Sequence, residues 1–335
     1  MGRVAPRDIV VLHDPQAAGL IQHVRTSSKV VWRCHVGRDT PNESTDIGWE
    51  FLREFIADAD AFVFSREAYA PHWLDRDRLW VIAPSIDPFS AKNIDMTPDV
   101  ARSVLVSAGL LAETSGRVDA GAVSLGGAPL SPGDRFVVQV SRWDRLKDMA
   151  GVMTGFGLLD AAAGLDDVHL VLAGPETSGV SDDPEAAEVL TECERLWHGL
   201  PARTRDRIHL ATVSMRDAQE NALIINAMQR LADVVVQKSL VEGFGLTVTE
   251  AMWKGRPVVA SGVGGIRDQI THGVDGLLID DPYDLPSFAE TLWTVLVDES
   301  MADRLGSGAR ERVLDEYVGD RHLERYVHLL VTLVA

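Results

Sequence analysis

Short apolar runs alternate with longer amphipathic stretches along this chain. The runs are rich in Val, Ile and Leu, and most do not alternate with polar residues, which is typical of strands buried on both faces. They predict strands at residues 8–13, 30–35, 61–64, 79–83, 136–141, 168–173, 208–211, 233–237, 257–261 and 276–279. The stretches between them predict helices at 49–57, 98–108, 146–159, 183–199, 218–231 and 245–254, and residues 285–333 are helical in pattern almost throughout. This rhythm favours doubly wound parallel sheets of the α/β class.

One segment interrupts the rhythm and suggests a domain boundary. Residues 113–134 are rich in Gly and Pro and show little apolar periodicity, so they are expected to form a linker or long loop. We therefore predict a Rossmann-like domain at 1–95, a connecting segment at 96–134 and a second Rossmann-like domain at 135–316, with helices at 317–335 packing back on the first domain. The first hundred residues supply only four strand candidates, so the first domain is predicted to be incomplete.

Composition narrows the classes of partner and the compartment. The 335 residues carry a formal net charge of −18, which is unfavourable for holding a nucleic-acid backbone by bulk electrostatics. The apolar fraction of 46% is enough for a sizeable core. The two cysteines, Cys34 and Cys193, form no CxxC motif, which favours a reducing, cytoplasmic setting. No signal peptide and no membrane span are expected, because no run approaches 18 apolar residues.

The segment 239–257 is the most informative for chemistry. A strand is predicted to end near Gln237, a tight loop follows at 242–245, and a helix begins near Leu246 and ends at Gly255. Small residues between a strand and a helix let backbone N–H groups approach a ligand, and the helix N-terminus favours an anion. Glu242 and Glu250 are then placed to accept hydrogen bonds from sugar hydroxyls.

A structural interpretation of the same segment is also open. Residues 247–250 match a capping box, in which Glu250 caps only its own helix. Gly243 and Gly245 then make only a turn, and position 248 lacks the third glycine of a GxGxxG motif.

A second cluster follows the first strand of the second domain. Arg142 and Lys147 lie at the expected carboxyl end of a parallel sheet, where ligands bind, and both suit a diphosphate. Gly174 ends a neighbouring strand at the same edge, in a loop that fits either a ligand crevice or an ordinary turn. The alternative for Arg142 and Lys147 is surface charge, partly paired with Asp144 and Asp148.

Polar residues also end two strands of the first domain. His13, Asp14 and Gln16 follow the first strand, and Arg33 and His35 end the second, so they are expected at one edge of the sheet. A lone His is usually structural, but two His with Asp and Arg at equivalent strand ends favour a site. No residue spacing predicts a metal site, and the sequence implies no required cofactor; Mg²⁺ is compatible with the sequence but is not implied by it.

These motifs together resemble the retaining glycosyltransferases of the two-Rossmann GT-B fold. Glu242 and Glu250 match the E-x7-E pattern of that group, and Arg142 and Lys147 match its diphosphate-binding pair. The similarity is greatest to the trehalose glycosyltransferring synthases and extends from about residue 8 to the end. It is carried by His13-Asp14-Pro15-Gln16, Trp32-Arg33-Cys34-His35, Pro84-Ser85-Ile86-Asp87-Pro88, Val140-Ser141-Arg142-Trp143-Asp144, Val234-Val235-Val236-Gln237-Lys238-Ser239 and the segment 242–257.

The resemblance implies transfer of glucose from a nucleoside diphosphate glucose to glucose, giving α,α-trehalose with retention and without a resident metal. The donor would bind the second domain, with Glu250 on the ribose, and the loop and first helical turn on the sugar and phosphates: Glu242, Gly243, Phe244, Gly245, Leu246 and Thr247. Arg142 and Lys147 would stabilise the leaving group. His35 would lie near the reacting centre, and the acceptor side would be lined by His13, Asp14, Gln16 and Arg33. A homodimer is also expected.

The chain departs from this family at its start. Family members begin with a strand and a glycine-rich loop, and this chain begins later, with roughly a hundred residues of the first domain absent. Two alternatives therefore stay open: a retaining trehalose phosphorylase, in which phosphate replaces the nucleotide, and a truncated homologue that binds a nucleotide sugar without turnover.

Overall fold

The computed structural model describes residues 4–5, 7–25, 28–113, 121–161, 164–177 and 184–335. Its strands are β1 Ile9–His13, β2 Lys29–Cys34, β3 Ala61–Phe64, β4 Leu79–Val81, β5 Val123–Gly126, β6 Arg135–Val140, β7 Val168–Pro175, β8 Ile208–Val213, β9 Val234–Gln237, β10 Val258–Ser261 and β11 Leu277–Ile279. Its helices are α1 Asp14–Ala17, α2 Ile21–Val24, α3 Glu43–Ile56, α4 Pro98–Ala108, α5 Met149–Gly157, α6 Pro184–Gly199, α7 Ala202–Arg205, α8 Ala218–Leu231, α9 Leu246–Trp253, α10 Ile266–Gln269, α11 Leu285–Val297, α12 Glu299–Glu316 and α13 Gly319–Val334.

The chain divides into two units. The first comprises Met1–Ser85, Glu242–Phe244 and Glu316–Ala335, and the second Ile86–Val241 and Gly245–Asp315. The contacts thus place residues 86–113 and 121–134 with the second unit, because β5 pairs with β8 and α4 packs on α8. The sequence predicts a connecting segment over 96–134 instead, and residues 114–120 of it lie outside the described residues, as does residue 183 of a predicted helix.

The first unit holds a parallel sheet in the order β1-β2-β3-β4. One face packs Trp32, Phe62 and Phe64 against apolar side chains of α2 and α3. The other face buries Val31, Val63 and Ile82 beneath Leu329 of α13. The apolar runs that predict these strands are therefore buried on both sides, as a parallel sheet requires.

The second unit holds a sheet in the order β11-β10-β9-β6-β7-β8-β5, parallel except at β5. Its core lies between the sheet and the helices α5, α6, α11 and α12, with Phe156 and Phe288 fully buried. The predicted α/β class with parallel sheets is confirmed, and all ten predicted strands are present. Among the described residues, no helix is long and apolar enough to span a membrane.

The structure corrects three local predictions. β5 was missed because it is a short edge strand whose two apolar side chains, Val123 and Leu125, lie among glycines. The helix predicted from residue 146 instead opens with a 3-10 turn, since Asp148 adopts a left-handed conformation (φ 50°) and α5 begins after it. The continuous C-terminal pattern is divided into α11, α12 and α13 by non-helical residues near Asp298 and Val318.

Candidate functional site

The loops after β6, β7, β9 and β10 meet at the carboxyl edge of the second sheet. These strands are adjacent and parallel, so the chain leaves each of them on the same side. Ligands of open α/β sheets bind at this edge. Of the residues predicted to bind a donor in the second unit, Gly174 lies inside β7, and the others lie in these loops or in the helices that follow them.

α9 begins at Leu246, directly after a left-handed glycine. Gly245 has φ 87° and occupies the N-cap position without a side-chain cap. The capping-box interpretation of residues 247–250 is therefore wrong, because Thr247 lies inside the helix and is not its N-cap. The Thr247 hydroxyl instead donates to Gln237 Oε1 at 2.9 Å. The predicted end of the helix is confirmed: Gly255, with φ 68°, follows the C-cap Lys254.

Glu250 is the most unusual group at this edge. Its side chain is only 8% exposed, and Lys92 Nζ lies 3.3 Å from its Oε1. Among the described residues, Oε2 has no hydrogen-bond partner. A buried carboxylate oxygen is normally satisfied, and leaving one unsatisfied is unfavourable by about 1–3 kcal/mol. Glu250 is thus suited to accept hydrogen bonds from the hydroxyl groups of a ligand.

A second lysine lies beneath Glu250. Lys254 Nζ donates to the Glu250 carbonyl at 3.0 Å and to Asn93 Oδ1 at 3.2 Å. Burial lowers the pKa of Lys254 to about 7, although the Glu250 carboxylate opposes that shift.

The turn after β6 carries three cations with different surroundings. The Arg142 side chain is 66% exposed and pairs with Asp144 at 3.2 Å. Arg145 instead faces α6, where it pairs with Glu185, Glu188 and Glu192. Lys147 ends the 3-10 turn, and its carbonyl accepts a hydrogen bond from Gln139 Nε2 at 2.7 Å. Part of the surface-charge alternative is thereby confirmed, since Arg142 does pair with Asp144.

The surface-charge alternative also expects Asp148 to pair with Arg142 or Lys147, but the ion pair of Asp148 is with Lys238. Asp148 also caps α5 through Gly151 N, and the Lys238 side chain is fully buried. Gly174 also has a packing role: a Cβ at this position would lie 2.5 Å from the Trp143 indole. Close packing alone therefore requires glycine at position 174.

In the first unit, two histidines meet at the ends of β1 and β2. His13 Nδ1 and His35 Nε2 lie 2.9 Å apart, and the rings are stacked. Asp14 Oδ1 accepts a hydrogen bond from the His35 backbone N–H at 2.7 Å, and Asp14 itself has φ 63°. Burial lowers the pKa of His35, and the neighbouring Arg33 guanidinium lowers it further, which favours the neutral ring. Gln16 is exposed in α1.

Arg33 corrects a prediction. The residue is fully buried, and its guanidinium donates to the Ile82 carbonyl at 2.7 Å and to Ser65 Oγ at 3.5 Å. A side chain in the interior of the sheet does not line an acceptor site. Both faces of this sheet are covered, so the apolar pattern of the strand does not show whether the side chain at position 33 is buried or exposed.

The tripeptide Glu242–Phe244 belongs to the first unit by its contacts. The Tyr69 hydroxyl donates to the carbonyl of Gly243 at 2.5 Å and lies 3.2 Å from that of Glu242. Phe244 packs edge-on against Tyr317, with ring centroids 5.8 Å apart. Glu242 is buried, at 9% exposure.

Sequence reasoning missed Lys92, Gln139, Gln237 and Lys238. The last two follow three consecutive valines, and polar residues directly after a buried strand are a usable signal. Gln139 lies inside such a strand and offers a weaker signal. Nothing near Lys92 in the sequence indicates its contact with Glu250. Among the described residues, no three His, Cys, Asp or Glu side chains cluster as metal ligands.

Comparison with known proteins places the chain among enzymes that handle sugars. The family model "Glycosyl transferases group 1" matches residues 128–312, and "Trehalose synthase, N-terminal domain" matches residues 1–71. The trehalose synthase of Rubrobacter xylanophilus is 34% identical over 98% of this chain and 70% of its own length. That of Thermococcus litoralis is 33% identical over 96% of this chain and 69% of its own length. The trehalose phosphorylase of Pleurotus pulmonarius is 26% identical over 94% of this chain and 43% of its own length.

Solved structures share the fold at low sequence identity. Sucrose-phosphate synthase from Thermosynechococcus elongatus matches with a TM-score of 0.73 and 19% identity, over 97% of this chain and 73% of that one. Anabaena HepE, solved in complex with UDP and glucose, matches with a TM-score of 0.70 and 18% identity, over 98% and 78%.

Proposed function

The chain belongs to the group 1 glycosyl transferases, and we propose that it transfers glucose from a nucleoside diphosphate glucose to free glucose, forming α,α-trehalose with retention. The observation that carries the proposal is Glu250, whose buried Oε2 has no partner among the described residues. This carboxylate follows the glycine loop by the spacing that donor-binding glutamates show in such enzymes. The relatives at 33–34% identity bear the name trehalose synthase, which supports the product.

We assign the donor to the carboxyl edge of the second sheet. Glu250 accepts hydrogen bonds from the ribose hydroxyls, which also satisfies its Oε2. Arg142 and Lys147 lie in the turn after β6, where their charges act on the diphosphate. Gly245, Leu246 and Thr247 form the N-terminal turn of α9, and the positive end of this helix favours phosphate oxygens. Because the Thr247 hydroxyl donates to Gln237, its backbone is the group assigned to the ligand.

The chemical step uses no protein nucleophile in this proposal. The bond between the glucose C1 and the diphosphate oxygen breaks, and the acceptor hydroxyl attacks C1 from the same face. The leaving diphosphate takes the proton of that hydroxyl. Arg142 and Lys147 stabilise the negative charge that develops on the leaving oxygen, which is the main contribution of the protein to the rate. Glu242, Gly243 and Phe244 are assigned to the transferred sugar.

The acceptor is assigned to the first unit. His13 and His35 present adjacent ring nitrogens, and Asp14 orients the backbone at His35. A neutral His35 can exchange hydrogen bonds with glucose hydroxyls without adding charge at the reacting centre. Gln16 is exposed and can contact the same sugar. Arg33 supports this edge from within the sheet rather than touching the acceptor.

Product analysis tests this function. The chain is incubated with glucose and UDP-, ADP- or GDP-glucose, and the disaccharide is identified by chromatography and by the anomeric signals in its proton NMR spectrum. The proposal predicts α,α-trehalose and one equivalent of nucleoside diphosphate from at least one donor. Another linkage, or hydrolysis to glucose alone, contradicts it.

A trehalose phosphorylase is the second candidate, because the Pleurotus pulmonarius relative bears that name. A phosphorylase cleaves trehalose with inorganic phosphate to glucose and glucose 1-phosphate, and it needs no nucleotide. The same samples therefore include trehalose with phosphate and without nucleotide. Release of glucose 1-phosphate there, with no product from the nucleotide donors, replaces the synthase assignment.

The third reading is a nucleotide-sugar-binding homologue without turnover. The chain spans about 70% of the length of the trehalose synthases that it matches. Nucleotide binding without product from any donor is the result that this reading predicts.

We retain the cytoplasmic location and the homodimer as parts of the proposal; the two buried, unpaired cysteines suit a reducing compartment. Light scattering on the purified chain tests the dimer.

A further inference from the structure

Two buried glutamines lie beneath the loops that carry the proposed donor-binding residues. Gln139 is in β6 and Gln237 in β9, and these strands are parallel neighbours. Both residues are buried near the carboxyl edge of the sheet: Gln139 is 0% exposed and Gln237 is 2% exposed. A primary amide has two N–H donors and one carbonyl acceptor in a fixed plane, so it can hold several groups in defined directions.

Gln237 binds three segments at once. Its Nε2 lies 3.1 Å from Ser141 Oγ and 3.0 Å from Ser239 Oγ. Its Oε1 accepts the Thr247 hydroxyl at 2.9 Å. Ser141 directly precedes Arg142, Ser239 lies in the loop after β9, and Thr247 lies in the first turn of α9. The three hydrogen bonds connect the loop after β6, the loop after β9 and the helix that carries Glu250.

Gln139 holds the remaining cation of the site. Its Nε2 donates to the Lys147 carbonyl at 2.7 Å, and its Oε1 accepts the Lys238 backbone N–H at 2.9 Å. The amide therefore fixes the end of the 3-10 turn against the residue that follows β9. The ion pair between Lys238 and Asp148 holds the next residue of that turn. Lys147 is thus fixed at its backbone from below.

We propose that Gln139 and Gln237 are positioning residues that set the geometry of the donor site, Gln139 through Lys147 and Gln237 through Ser141, Ser239 and Thr247. This inference rests on the proposed function. We expect neither amide to touch the ligand, because each is buried and its hydrogen bonds go to protein groups. Each orients residues that do, and a displacement of about 1 Å in such residues is enough to weaken catalysis about a hundredfold.

The test uses methionine, which has nearly the same volume as glutamine and lacks the amide. Gln237→Met and Gln139→Met are titrated with UDP, ADP and GDP by calorimetry, and thermal unfolding is recorded for each. His209→Phe at pH 7.5 is the matched control, since His209 is a buried polar residue at the opposite, amino end of the same sheet. We expect both glutamine variants to lower nucleotide affinity at least about tenfold. The control is expected to lower the unfolding temperature and leave affinity within about twofold.

A double-mutant comparison separates positioning from general loosening of the fold. In a chain that already carries Lys147→Ala, Gln139→Met is expected to change affinity less than about threefold, because its effect passes through Lys147. Gln237→Met retains its full effect in that background. Fully additive losses for Gln139 and Lys147 overturn the positioning role of Gln139.

The remaining outcomes discriminate between the inference and its premise. If the unchanged chain binds a nucleotide and both methionine variants bind it equally well, the inference is overturned and the proposed function stands. If the unchanged chain binds none of the three nucleotides, the proposed function is overturned and this inference with it. If the His209→Phe control loses as much affinity as the glutamine variants, the effect is one of stability and the inference is overturned.

Discussion

Lys92 Nζ lies 3.3 Å from Glu250 Oε1, while the second oxygen of the same carboxylate has no partner among the described residues. The two residues are more than 150 positions apart in sequence and meet because the segment after Ile86 lies against α9. Asn93 connects the same segment to the end of α9, since its carbonyl accepts the Trp253 indole N–H and its side chain accepts a hydrogen bond from Lys254. The ion pair with Lys92 thus offsets part of the cost of burying the Glu250 carboxylate.

Removing the Glu250 carboxylate is expected to weaken nucleotide binding. Glu250→Ala should reduce the affinity for the preferred nucleoside diphosphate at least about tenfold, roughly 1.4 kcal/mol, because the ribose hydroxyls lose their charged acceptor. Calorimetric titration measures the change. Glu311→Ala, at an exposed position of α12, is the matched control and should bind as the unchanged chain does. Equal affinity in both variants would return Glu250 to a structural role.

Removing Arg142 or Lys147 should weaken nucleotide binding, whereas removing Arg145, which lies between them in sequence, should not. Lys147→Ala and Arg142→Ala are each expected to lower nucleotide affinity at least about tenfold and to reduce its dependence on salt, since each removes a charge acting on the diphosphate. Arg145→Ala removes the same charge from the same turn. Its guanidinium is held by three glutamates of α6, so this variant should keep its affinity within about twofold. A loss as large for Arg145 would mean that the effect is one of net charge.

Acid should destabilise the second unit through His209. Burial, aided by His169, lowers the pKa of His209 to about 4 in the folded protein. The unfolded chain therefore binds more protons below its ordinary pKa of about 6.5, and the stabilisation is lost as pH falls from about 6.5 towards 4. Between pH 7.5 and pH 5 the free energy of unfolding should fall by roughly 2 kcal/mol from this group. Urea unfolding of His209→Phe should show a correspondingly smaller fall, and an unchanged pH dependence would contradict the assignment.

Gly174 offers a prediction about packing. Gly174→Ala should lower the free energy of unfolding by about 1–3 kcal/mol, because the added methyl overlaps the buried Trp143 ring. The ring is held by its hydrogen bond to the Pro175 carbonyl at 2.9 Å and has little freedom to move. Gly199→Ala, at the end of α6 with open space around it, is the control and should be neutral or slightly stabilising. Chemical denaturation compares the two.

The sequence predicts the strands well for a physical reason. Runs such as Val234-Val235-Val236 are buried on both faces, so their pattern is local and does not depend on which neighbour covers them. β5 was missed because its pairing with β8 comes from a distant part of the chain. The left-handed Asp148 likewise divides a predicted helix, and its conformation accompanies an ion pair with Lys238, 90 positions away.

The sequence also predicts where the candidate site lies, but not the surroundings of its side chains. Glu250, Arg142 and Lys147 are found at one sheet edge, because the carboxyl ends of parallel strands coincide. The burial of each side chain is not accessible from the sequence: only the fold shows that Arg33 is buried and donates to the Ile82 carbonyl. The contacts of Lys92 and Gln237 are tertiary, and no local pattern encodes them.

Calorimetric titration of the purified 335-residue chain with UDP, ADP and GDP, with trehalose assayed from the matching glucose donors in the same samples, tests the central claim most directly. The proposed function predicts saturable binding of at least one nucleotide at one site per chain, together with trehalose from the corresponding donor. Absence of binding to all three nucleotides would contradict the assignment of the carboxyl edge of the second sheet as a donor site.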